Sequence, residues 1–272
     1  MSSANNKNVP VAFFGHGSPM NAIEDNEFTK SWKVYAESLP PIKGIVCISA
    51  HWYTRGTGVT AMTAPRTIHD FGGFPDQLYK IHYRAPGDPD LAEQIIALLP
   101  NRTVVHDQSW GIDHGAWSVL IHMFPNADIP VVQLSIDASL DPKEHFEIGK
   151  ALTPLRGAGI FILGSGNIVH NLQATFGSRE GLSGPPLKWN VDFNNTVVEL
   201  LAKSDDTKLI NYHSLGPNAQ LSIPTPDHYL PLLYVLGAKE HVDDVSFPTF
   251  GYSGAGISML SASFGIGRNT LR

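Results

Sequence analysis

The chain carries twelve histidines and one cysteine. Neutral imidazole is the commonest metal ligand, and its titration near physiological pH also suits it to general acid–base work. A single cysteine excludes an intrachain disulfide and any thiolate-rich zinc or iron–sulfur centre. Cys47 stands inside an apolar run and reads as a buried core residue. Three histidines are marked by what precedes them. His16 lies in Gly15-His16-Gly17-Ser18-Pro19, directly after the apolar run 11–14. His51 follows the run GIVCISA at 44–50. His170 comes six residues after GIFILG at 159–164. The glycines flanking His16 permit a tight turn. Open α/β sheets bind ligands beyond the carboxyl ends of their strands. Three imidazoles delivered to that edge suggest a metal centre assembled from distant parts of the chain.

Three further histidines belong with them. His228 follows Thr225-Pro226-Asp227 and is expected in the first turn of a helix. A helix N-terminus disfavours protonated imidazole and so favours the ligating form. His114 sits between Asp113 and Gly115 at another helix start, where Asp113 is either its orienting partner or a plain cap. His69 opens the stretch His69-Asp70-Phe71-Gly72-Gly73-Phe74-Pro75, inside a long segment without periodicity. Such loops are usually functional or disordered, and the aromatic content favours an ordered pocket wall. Each of these histidines also has a plainer explanation, a bond to nearby backbone or an exposed position. His82, His106, His122, His145, His213 and His241 lack a suggestive context and read as surface or satisfied core residues. No close pair of the HExxH kind is present to fix a metal site by spacing alone.

The elements that must position these rings alternate. Phe28, Trp32, Tyr35 and Leu39 mark a helix ended by Pro40-Pro41. Asp88-Pro89 and Asp141-Pro142 open two more, with aspartate as cap and proline at the first position. Trp189 to Leu201 and Tyr229 to Leu236 supply others. Strands are expected at 11–15, 44–50, 58–62, 103–105, 129–136, 159–163, 209–212 and 257–264. The fold class is therefore α/β, a single domain over residues 1–272 with a central, mostly parallel or mixed sheet flanked by helices. The metal site is expected at the carboxyl ends of its strands. A formal net charge of −6 with no Lys/Arg cluster argues against nucleic acid as a partner. No stretch reads as a membrane span or a signal peptide, so a cytoplasmic protein is expected.

Seven motifs taken together add a resemblance. GHGSPM at 15–20, SAHW at 49–52, TIHDFGGFP at 67–75, GIDHGAWSVL at 111–120, PVVQLSID at 130–137, GSGNIVHNL at 164–172 and PTPDHYLPLLYVLG at 224–237 resemble the class III extradiol ring-cleaving dioxygenases. Within that LigB-type superfamily they look closest to the 4,5-DOPA extradiol dioxygenase branch. The resemblance implies a mononuclear non-haem site with Fe(II) for activity, which Zn(II) can fill in the isolated protein. It implies His16, His51 and His228 as metal ligands, with His228 standing where more distant members use a glutamate. It implies His170 as catalytic base, or as a fourth ligand, and His114 as a second catalytic histidine. His69, Phe71, Phe74 and Tyr229 are the candidate substrate contacts, and Trp52 also neighbours a ligand. Arg55 or Arg66 would have to read the amino-acid end of DOPA. The implied partners are a small aromatic diol and O2, acted on by a monomer or small homo-oligomer and yielding a muconic semialdehyde. Two other readings use the same histidines: a zinc hydrolase, and a non-catalytic metal-binding protein of the same fold.

Overall fold

Apolar runs with period-two alternation build the centre of the sheet. The protein is described by a computed structural model covering residues 8–266. Strands Val11–Gly15, Gly44–Ser49 and Ile160–Gly166 are buried at every residue. A parallel sheet covered on both faces requires this. Val11 and Phe13 face one side, with Val46, Ile48 and Ile162. Ala12 and Phe14 face the other, with Ile45, Cys47 and Leu163.

The central sheet has six strands. Their order is Val131–Gln133, Gly44–Ser49, Ile160–Gly166, Val11–Gly15, Ala262–Phe264, Val245–Ser246. The first four are mutually parallel, with Ile45 opposite Val131, Val46 opposite Ile162, and Val11 opposite Ile162. The last two run antiparallel, pairing Val11 with Phe264 and Ser263 with Ser246. Helices Pro89–Leu98, Pro142–Ala151, Lys188–Ala202 and Leu230–Ala238 contribute to the core on one face. Helices Glu27–Glu37 and His114–Met123 contribute to the other. The result is a single α/β domain with a mixed central sheet. Asn26 and Asp141 cap their helices with reciprocal capping boxes, and Asp88 caps ahead of Pro89. Among the described residues no helix is long and apolar enough to cross a membrane.

Four expected elements differ. Residues 209–212 are not a strand but the end of helix Asp206–Ile210 and a following 3-10 turn. The Asp205 side chain accepts from the Lys208 N–H there, which starts a helix that the short apolar pattern did not reveal. The run 129–136 splits into Val131–Gln133 and a separate strand Ile136–Asp137. Only Ala262–Phe264 of 257–264 joins the sheet. Helix Leu230–Ala238 begins after His228, so His228 lies in the approach to the helix and not in its first turn.

His145 is fully buried, with Nδ1 2.9 Å from the Tyr234 hydroxyl. Burial pushes its pKa down to about 4, against the opposing pull of Asp137 and Glu144. The unfolded chain therefore takes a proton near pH 6.5 that the folded chain refuses, and stability falls as pH drops from about 6.5 towards 4. His145→Gln removes this dependence. Urea unfolding of the wild type should lose about 2 kcal/mol more than the variant between pH 7.5 and pH 5.

Candidate metal centre

Each histidine of the centre is held by backbone on the sheet edge. His16 follows strand Val11–Gly15, and its N–H donates to the Gly166 carbonyl at 3.0 Å. His51 follows strand Gly44–Ser49, where the Ala50 N–H donates to the Ser165 carbonyl at 2.9 Å. The His228 carbonyl accepts from the Asn167 N–H at 2.9 Å, which pins the third segment to the end of strand Ile160–Gly166. Gly166 makes this approach feasible, since a Cβ there would stand 2.1 Å from the His228 carbonyl oxygen. The ring centroids of His16, His51 and His228 lie 5.0, 5.1 and 5.3 Å apart, close to an equilateral triangle.

The hydrogen bonds assign one tautomer to all three rings. The Ser165 hydroxyl donates to the Gly115 carbonyl, so its lone pair accepts from His16 Nδ1 at 3.0 Å. His51 Nδ1 faces Asp70 Oδ2 at 3.2 Å. His228 Nδ1 is hydrogen-bonded to Asp227 Oδ2. Each Nδ1 thus carries the proton, and each Nε2 presents a lone pair. His16 and His51 Nε2 stand 3.1 Å apart. His228 Nε2 is buried without a partner. Two facing lone pairs and a third that is orphaned are unfavourable in a low-dielectric site unless a cation lies among them. The donor set therefore fits a divalent metal, and imidazole donors suit a transition metal. Burial, followed by repulsion from neighbouring imidazoles, holds His16 and His51 well below the usual histidine pKa. Both rings are then in the ligating, neutral form.

His114 and His170 flank the trio. His114 Nδ1 lies 2.9 Å from Asp70 Oδ2, and its own N–H donates to Asp70 Oδ1 at 2.9 Å. Its ring centroid is 3.8 Å from that of His51. Ligand atoms of His16, His51 and His114 lie within 4.8 Å of one another, as do those of His170, Asp227 and His228, so the cluster offers two close donor sets besides the trio of centroids. Asp113 does not orient His114. It caps the helix by accepting from Ala116, and also accepts from Ser49 and Gln133. His170 stacks on His228 with centroids 3.5 Å apart and planes within 6°. Burial and then the charge of His228 push His170 down to about 2, so it too is neutral.

A cavity of about 540 Å³ opens over the five rings. Phe71 and Phe74 line it, as the sequence suggests, and Phe71 sets its edge against the His114 ring at 5.4 Å. His69 and Tyr229, also expected to touch substrate, are not among the lining residues. The His69 Nε2 bonds to the Ile81 carbonyl, and its ring supports Phe71 from behind at 5.7 Å. Tyr229 is fully buried, with its hydroxyl donating to the Leu209 carbonyl and its ring against Tyr212. Trp52 stacks on Trp110 at 5.7 Å, away from the cavity. Sequence reasoning missed Asp70, the carboxylate shared by two histidines. It also gave no role to Asp227, whose carboxylate binds the neighbouring His228 ring. Their adjacency to His69 and His228 was the available signal.

Burial raises the Asp70 carboxyl, but the hydrogen bonds and charge of His114 outweigh this and hold it below the usual value. Asp70 is therefore ionised at neutral pH. Asp70→Asn keeps the shape and removes the charge that strengthens His51 as a donor. Metal affinity, measured by competition with a chelator, should fall 10- to 100-fold.

Comparison with known proteins identifies the family. The family described as the catalytic LigB subunit of aromatic ring-opening dioxygenase matches residues 10–265. The chain is 49% identical over 263 residues to 4,5-DOPA dioxygenase extradiol of Escherichia coli (strain K12), covering 94% of this chain and 95% of that protein. It is 38% identical to the Beta vulgaris protein of the same name, over 85% of this chain and 87% of that one. A crystal structure of an uncharacterized protein from Escherichia coli K12 superposes with a TM-score of 0.81 at 44% identity, covering 94% of this chain and 99% of the other. The chain belongs to the LigB family of aromatic ring-opening dioxygenase catalytic subunits.

Proposed function

We propose that this protein is an extradiol dioxygenase that opens the ring of a catechol with O2 to give a muconic semialdehyde. The observation that carries this reading is the trio of inward Nε2 lone pairs, with a neutral imidazole on one side and a carboxylate-backed imidazole on the other. We assign His16, His51 and His228 as the metal ligands. His114 sits instead against Asp70, with its ring Nδ1 2.9 Å from Oδ2 and its backbone N–H donating to Oδ1. Three protein ligands leave coordination positions open for a diol and O2. Fe(II), when bound, supplies the redox-active Lewis acidity that acidifies the diol and passes electron density to O2.

The remaining chemistry belongs to the side chains. We assign His170, which lines the cavity beside His228, as the acceptor of the diol's proton. His114, with Nδ1 2.9 Å from Asp70 Oδ2, hydrogen-bonds the oxygen that develops negative charge. Phe71 and Phe74 flank the aromatic ring and exclude water. His69 and Tyr229 act only through Phe71 and the packing behind His228. DOPA, in the names of several relatives, is the first catechol to offer. We place the enzyme in the cytoplasm as a monomer or small homo-oligomer, with neither nucleic acid nor a membrane as partner. The net charge of −6 argues against nucleic acid.

The neutral nitrogen trio suits zinc equally well, and a zinc hydrolase is the second reading. Oxygen uptake separates them. Apoprotein reloaded anaerobically with Fe(II) should consume O2 with DOPA or simple catechols and form a yellow semialdehyde, while zinc-loaded protein should consume none. No uptake by protein that demonstrably holds Fe(II) would transfer the assignment to the hydrolase.

A further inference from the structure

The mouth of the cavity carries hydrogen-bond donors that the ring chemistry leaves unused. Gly72 and Gly73 line it, and having no side chains they line it with backbone. Both are exposed, and among the described residues neither N–H takes part in a hydrogen bond. Gly73 has a φ of +78°, the left-handed conformation found in the backbone concavities that bind anions. A Cβ at either glycine would meet no atom within 4 Å, so the space beside this backbone is open. Ser18, in the GHGSP motif, also lines the cavity. Its hydroxyl accepts from the Met20 N–H at 3.2 Å and gives its own proton to none of the described residues. The 3-10 turn that follows Ser18, Pro19–Ala22, packs on the short helix Asp76–Tyr79, which follows the two glycines. The three donors therefore share one side of the mouth.

Fixed cations do not supply this wall. Among the described residues, Asp70 is the only Asp, Glu, Lys or Arg in the lining, and it is engaged by His51 and His114. Arg55 and Arg66, the cations that the sequence offered for an amino-acid end, are not in the lining. Arg66 instead donates to the Trp110 carbonyl at 3.2 Å. A carboxylate that leaves water for the cavity needs hydrogen-bond donors there. Backbone N–H groups supply them where proteins capture a terminal carboxylate. The cavity of about 540 Å³ is larger than a diol ring fills, so a ring substituent has room beside these donors.

We propose that Gly72, Gly73 and Ser18 receive a carboxylate carried on the ring substituent of the catechol, through backbone N–H groups and a hydroxyl in place of a cation. The proposal rests on the ring-cleavage reading for its substrate class, and extends it from the diol to the far end of the molecule. 3,4-Dihydroxyphenylpropionate and its methyl ester differ in the charge of that end alone. The acid should exceed the ester in kcat/KM by about 10- to 100-fold, the factor that a hydrogen bond to a charged group corresponds to.

The test has two arms. The first is kcat/KM for this pair on the iron-loaded enzyme. Gly72→Asp, whose side chain enters open space, should abolish the preference for the acid by repelling its carboxylate. Ser18→Ala should narrow the preference, and Ser18→Thr, which keeps the hydroxyl, should restore it. Arg55→Gln and Arg66→Gln should leave it unchanged. The second arm is calorimetric affinity of the same pair for zinc-loaded protein, which needs no turnover and should give the same order. Equal use of acid and ester by wild type overturns the proposal. So does a Gly72→Asp variant that keeps the preference, or an arginine variant that loses it. If iron-loaded protein consumes O2 with neither compound, the ring-cleavage reading falls. The zinc arm then still decides the carboxylate site, and equal affinity or absence of binding there overturns it.

Discussion

His51→Ala should abolish metal binding at the centre. Purified wild type reloaded with Fe(II) should hold about one metal per chain, the stoichiometry of a three-histidine site. The variant should retain almost none after passage over a desalting column. The loss follows from geometry. His16 and His228 remain 5.3 Å apart between centroids, and two neutral imidazoles do not hold a divalent ion against solvent. Removal of a group that only supports a ligand already costs 10- to 100-fold in affinity, so removal of the ligand costs more. The same substitution should hardly weaken the metal-free protein, because His51 Nε2 faces another lone pair at 3.1 Å. Thermal or urea unfolding without metal should therefore differ by less than about 1 kcal/mol, the scale of a half-buried hydrogen bond lost with the ring. Addition of metal at 100 times the wild-type Kd should stabilise the wild type by about 2.7 kcal/mol and leave the variant unmoved. A variant that binds metal normally would remove His51 from the ligand set.

His170→Ala should behave in the opposite way. Its metal content should match wild type, because the three proposed ligands His16, His51 and His228 are untouched. Turnover should fall by about 10²- to 10⁴-fold, the range for loss of a positioned general base. KM should change little, because the diol is held by the metal and the aromatic walls. Added imidazole should restore part of the rate by filling the space that the alanine leaves. Metal lost together with activity would instead make His170 a ligand and exclude it as the base.

The sequence carried the strands better than their partners. Val11–Gly15, Gly44–Ser49 and Ile160–Gly166 are legible because residues buried on both faces leave an uninterrupted apolar run. His16 and His51 follow directly from those runs. The helical end of 206–210 was not legible, because a cap between Asp205 and Lys208 decides it and not periodicity. His228 was identified with the wrong local structure, since the chain turns through Asp227 before Leu230–Ala238 begins. Asp70 stayed hidden for a different reason. Its role exists only where residues 51, 70 and 114 meet, and no local pattern encodes a carboxylate shared across such distances. Tyr229 shows the converse: adjacency to a ligand in sequence placed it behind the site, with its hydroxyl on Leu209.

The strand order has a consequence for when the centre can exist during synthesis. Strands Val11–Gly15 and Gly44–Ser49 leave the ribosome first, yet they are not neighbours. Strand Ile160–Gly166 lies between them and bonds to both. A nascent chain that ends before residue 160 therefore has both His16 and His51 but lacks the strand that sets their spacing, and His228 is still to come. Metal captured at that stage would meet an unformed trio. The centre closes only after most of the chain has been made, which ties metal loading to the last and most non-local stage of folding.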